Sequence, residues 1–217
     1  MNQRIGRRGS CLVIFGIVVV VFLVGIGVVA FVTLRWIHRQ VETYTATSAV
    51  PLPKSKLSDA DYAKVDERVT QFTDALNHGQ STPPLILDEQ ELNAYIEHTH
   101  PNDLGKEVYL VLDGNQVKGE VSFPLDSLNV SWVKDRYLNG NVTLDVSLAN
   151  HNLVVTAQQI EVNGQSPPVS FMRGFSTKNL AKDATKNPKN AAEIAKFESI
   201  EIKDGKLIVT APPAATP

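Results

Sequence analysis

Residues Cys11 to Leu34 read CLVIFGIVVVVFLVGIGVVAFVTL, a run with no charged side chain, in which only glycines, one alanine and one threonine interrupt the large apolar residues. A helix rises about 1.5 Å per residue, so this run covers a hydrocarbon core of about 30 Å with a little to spare. The reading is a transmembrane helix over 11–34, preceded by a basic tail over 1–10. A cleavable signal peptide would also place Arg4, Arg7 and Arg8 ahead of an apolar stretch, but its core runs only about 7 to 15 residues and a small-residue cleavage site follows closely. The nearest such site here, Thr47-Ser48-Ala49, lies a linker's length beyond Leu34. An uncleaved anchor is therefore expected. Cys11 does not make a lipoprotein site, because Arg8-Gly9-Ser10 precedes it and the apolar run follows it.

Arginines flank the run on both sides, Arg35 and Arg39 on the far one, so the positive-inside rule discriminates little. A short basic tail ahead of a single span is the usual signal-anchor arrangement, which places the C-terminal part outside the cytoplasm at the cell membrane. Gly16, Gly25 and Gly27 never fall four apart, so a close-packing GxxxG dimer face is absent.

Charge is unevenly spread. Residues 1–39 carry five arginines and no acid, leaving 16 of the 21 basic residues to face all 23 acidic ones, a net charge near −7. Such a surface gains nothing from counterion release and points away from nucleic acid as a partner. It also stands off from anionic headgroups. The chain's single cysteine is Cys11, so the remainder has no disulfide, thiolate zinc site or cysteine nucleophile.

Residues 35–57 read as a linker, rich in Thr, Ser, Ala and Pro from Gln40 to Lys56 and without an apolar period. A domain over 58–211 follows, with a loose tail over 212–217. Ser58 with Asp61 signals a helix start, Tyr62, Val65, Val69, Phe72 and Leu76 form its apolar seam, and His78-Gly79 ends it. Past Pro83-Pro84 come a short apolar segment, Leu85-Ile86-Leu87, and a second start at Asp88 with Glu91, where Leu92, Tyr95 and Ile96 give a buried face. From Lys106 the period becomes two: Val108, Leu110 and Leu112, the Asp113-Gly114-Asn115 turn, then Val117, Val121 and Phe123 predict a hairpin. Val142 to Leu148 predicts a strand with one wet face. In 153–162 the inward residues change parity between Val155 and Ile160, which predicts a bulge near Gln158 and Gln159. Val169 to Ala195 carries Phe171, Met172, Phe175 and Leu180 at helical spacing, is broken by Pro188, and resumes as helix from Asn190. A final hairpin is joined by Asp204-Gly205. The expected class is α+β, an antiparallel, curved sheet with helices packed on one face.

The order Leu87-Asp88-Glu89-Gln90-Glu91-Leu92-Asn93 on a short helix, then alternating strands with dipeptide turns and a closing Asp204-Gly205-Lys206-Leu207, resembles the YpmS-like group of small single-pass bacterial membrane proteins over about residues 85–210. The resemblance implies an extracytoplasmic, tubular lipid-binding fold with an apolar groove, and carries over no ligand residue.

Chemistry is sparse. Glu97-His98-Thr99-His100-Pro101-Asn102-Asp103 is where imidazoles and carboxylates crowd together, making His98, His100 and Asp103 the metal candidates, although the spacing matches no standard zinc motif. Neither a G-x-S-x-G elbow nor a Gly-rich phosphate loop occurs, and no cofactor is expected. The sequons at Asn129 and Asn141 lie in or beside predicted strands and read as chance. Trp132, Tyr137, Phe171, Met172 and Phe175 are the candidates for lining a binding groove, weighed against ordinary burial. Three functions stay open: a noncatalytic tethered domain that binds a lipid or an envelope-protein ligand beside the lipid bilayer; an interaction protein pairing through the 58–79 helix; and an anchored hydrolase with a site near Glu97 to Asp103.

Overall fold

The computed structural model describes residues 41–101, 104–128, 133–149, 152–182, 186 and 188–213. The run Cys11–Leu34 lies outside them, and among the described residues no helix is long and apolar enough to cross a membrane. The chain is α+β with an antiparallel sheet of seven strands. In order, the elements are α1 (Val41–Tyr44), α2 (Asp59–Asn77), β1 (Leu85–Asp88), α3 (Glu89–Thr99), α4 (Leu104–Glu107), β2 (Val108–Asp113) and β3 (Gln116–Pro124). A 3-10 turn over Leu125–Leu128 follows, then β4 (Tyr137–Ala149), β5 (Asn152–Val162), α5 (Val169–Ser176), α6 (Pro188–Ile194), β6 (Ser199–Lys203) and β7 (Lys206–Thr210).

Local chemistry sets the helix starts. Ser58 Oγ accepts from the Asp61 N–H at 3.2 Å and donates to the Asp61 carboxylate at 2.7 Å. The hydrogen bond from Lys64, then that from Ser58, holds the Asp61 carboxyl below its usual range. At α3 the capping box closes in both directions: Asp88 Oδ1 takes the Glu91 N–H at 2.9 Å, and Glu91 Oε2 takes the Asp88 N–H at 3.1 Å. Pro188 does not interrupt a helix; it begins α6, where its missing N–H costs nothing. Leu180, expected on a helix, lies in a turn.

β4 organises the sheet. One of its edges pairs with β5 from Gly140 to Ala149. The other is shared: β3 pairs with Tyr137 to Leu144, and β6 pairs with Ser147 to Ala149. The hairpins β2–β3 and β6–β7 thus approach one strand from opposite ends, and their turns meet where Gly205 N–H donates to Gly114 O at 2.9 Å. β1 pairs with β7. The expected bulge is present: Thr143 pairs with Gln159 but Leu144 with Ala157, leaving Gln158 without a partner in the register. Asn163-Gly164 and Asp204-Gly205 have positive φ at both central residues, the geometry whose twist suits a two-residue hairpin turn.

Val65, Val69 and Phe72 of α2 and Leu92, Tyr95 and Ile96 of α3 join the inward residues Leu138, Val142, Leu144, Val146 and Leu148 of β4 in one core. The seam of α2 is thereby buried within the chain, with Val65 and Val69 each 2 % exposed.

On β2 and β5, each paired with a single strand, asparagine side chains bond part of the outer backbone edge. On β2, buried Asn93 of α3 donates through Nδ2 to Leu110 O at 2.7 Å and accepts the Leu110 N–H at 2.9 Å. On β5, Asn179 accepts the Val155 N–H at 3.0 Å and donates to Leu153 O at 2.8 Å.

Candidate functional site

The histidine cluster is built into the end of α3. The His98 ring stacks on Tyr62 of α2, centroids 3.7 Å apart, and its Nδ1 donates to Ala94 O at 2.9 Å. Thr99 Oγ1 spends its proton on Tyr95 O at 2.6 Å, so His100 Nδ1 at 3.0 Å is the donor to that hydroxyl. Glu97 Oε1 accepts the Ser55 N–H at 2.8 Å. Asp103 lies outside the described residues. Among the described residues no three His, Cys, Asp or Glu side chains form a group that could hold a metal ion.

The aromatic candidates do not form a described groove. Tyr137 opens β4, half-buried, and exchanges both backbone hydrogen bonds with Ala46, at 2.9 and 2.8 Å. Met172 is half-buried against the core. Phe171 and Phe175 contribute backbone to α5. Trp132 lies outside the described residues.

Two features were not anticipated. Residues 41–57, the described part of the stretch read as a linker, lie along the domain as a strap. Ser122 and Asn139, directly opposite one another on β3 and β4, are buried and bonded at 2.8 Å. They meet Val50 N–H at 3.1 and 3.3 Å respectively, and Asn139 Nδ2 donates to Ser48 O at 3.0 Å. Farther on, Ser55 Oγ donates to Gln90 O at 3.0 Å, and Lys56 N–H donates to the Gln90 side chain at 2.9 Å. The only sequence signal was two polar residues, Ser122 and Asn139, inside strands, and their partners lie far away in the chain.

The second feature is a cleft at the fork of β4, with a volume of about 580 Å³, lined by Asn115, Asp145, Val146, Ser147 and residues 201–204. Asp145, on the wet face of β4, has both carboxylate oxygens engaged: Gln116 Nε2 donates to one at 2.8 Å and Gln158 Nε2 to the other at 2.5 Å. Both oxygens are thus occupied, and Asp145 ties β4 to the Gln116 and Gln158 side chains. The fork arises from strand pairing between distant segments, which no local pattern in the sequence encodes.

No family model, curated protein or solved structure matches the chain.

Proposed function

We propose that this chain is a noncatalytic protein anchored by one membrane span, whose domain sits outside the cytoplasm and binds a lipid or another envelope component. The observation that carries the proposal is the uncharged run Cys11–Leu34 placed ahead of an acidic domain without cysteine. The lining of the fork cleft, where Asn115, Asp145, Ser147, Glu201, Lys203 and Asp204 outnumber Val146 and Ile202, favours a polar ligand over an acyl chain. Glu97, His98 and His100 are each engaged in holding backbone or ring contacts, which gives the hydrolase reading no support. The buried seam of α2 likewise favours intramolecular packing over pairing through that helix.

The test is fractionation of the full-length chain followed by native mass spectrometry. The protein should stay with membranes through an alkaline carbonate wash, be digested by protease applied from the non-cytoplasmic side, and carry an envelope-derived ligand. Recovery of the intact chain in the aqueous fraction, or stoichiometric zinc, would overturn the proposal.

A further inference from the structure

We infer that the sheet stands on the bilayer by the end that carries the β5–α5 connection, with Val169 in contact with the lipid surface. This rests on the anchor proposed above and adds an orientation and a contact. Six residues, 35–40, separate the apolar run from Val41, and even fully extended they hold the start of α1 within about 25 Å of the end of the run. Where the chain arrives is fixed by hydrogen bonds: Asn163 Nδ2 donates to Thr43 O at 3.2 Å, and Arg136 donates to Thr45 O at 3.1 Å. Ala46 bridges to Tyr137, the first residue of β4. The anchored end of the sheet is therefore the end where β4 begins and β5 finishes.

Val169 lies six residues past Asn163, behind Pro167 and Pro168, and opens α5. It is 75 % exposed, against 49 % for Val50 and 42 % for Ile86, the other large hydrophobic residues exposed among those described. A lone exposed valine is ordinary on a water-facing surface. This one sits at the end held nearest the apolar run, where the neighbouring medium is an interface. The fork cleft is eight to ten residues along β4 from Tyr137, about 30 Å farther out at the rise of a strand. An upright sheet thus keeps the cleft clear of the headgroups and open to the envelope.

Cys11 is the chain's only cysteine, so a label can be placed at one chosen site in a Cys11→Ser background. Full-length Val169→Cys and Lys203→Cys variants, each carrying an environment-sensitive fluorophore, would be reconstituted in phosphatidylcholine vesicles containing nitroxide lipids. The label at 169 should be quenched at least threefold more than the label at 203 and shifted to the blue. Equal quenching at both sites, or none at either in chains that float with the vesicles, would overturn the orientation while leaving the anchor standing. A chain that fails to float would remove both.

Discussion

The strands β2 and β5 pose the same problem and solve it with the same functional group, yet differ in how that group is delivered. Each has an outward backbone edge that water or another strand would otherwise occupy. An asparagine amide reads both a donor and an acceptor on each edge, Asn93 at Leu110 and Asn179 at Val155 and Leu153. Asn93 comes from a capped helix and is 1 % exposed. Asn179 comes from a turn, is half-buried, and is helped by Leu180 N–H, which donates to Val155 O at 2.8 Å. A regular element delivers a more deeply buried contact and leaves less room to compensate for its loss.

Replacing Asn93 with Ala should therefore cost most, about 3 kcal/mol in urea denaturation, because it strands the Leu110 N–H and C=O in a dry environment. Asn179→Ala should cost about 1 to 2 kcal/mol, since water can reach the vacated edge. Finding the two equal, or reversed, would break the comparison. Amide exchange sharpens it: Leu110 should be slow and fully dependent on Asn93, whereas Val155 should exchange faster in the native chain.

Tyr109 tests the helix-delivered edge from the strand's side. Its hydroxyl donates to Glu89 Oε1 at 2.9 Å, and burial first, then that carboxylate, pushes its pKa up to about 12. An ionised phenol is disfavoured in the folded state, so its contribution is intact below pH 10, the ordinary tyrosine value, and is lost as pH rises toward 12. Ultraviolet titration should show an ionisation about two pH units later than the ordinary tyrosine value, and Tyr109→Phe should erase that step at a cost of about 1 kcal/mol. The smallest effect is expected at His98. Removing its ring from Tyr62 should loosen α2 against α3 by about 0.5 kcal/mol and speed Leu110 exchange slightly, without touching Val155.

What the sequence made legible follows from range. The cap at Ser58, the box at Asp88 and Glu91, the Asp-Gly and Asn-Gly turns and the bulge at Gln158 each depend on residues a few positions apart, and each was readable. Asn93 belongs to the short-helix motif, but its partner Leu110 is 17 residues away, so no local pattern shows its role on the strand edge. The strap was read as a linker because Thr, Ser and Pro carry no apolar period; what places it is a pair of polar groups 72 and 89 residues farther on. The fork of β4 was hidden for the same reason, since it requires two separate hairpins to claim one strand.

The strap also decides where load would go. A tug arriving through residue 41 finds no slack to draw out: it is met at once by Thr45 on Arg136 and by Ala46 on Tyr137, at the foot of the strand that every sheet neighbour except β1, β2 and β7 touches directly. Tension on the anchor proposed above would thus reach β4 first, the strand paired with three others, so the domain would follow its anchor as a post and not as a float on a line.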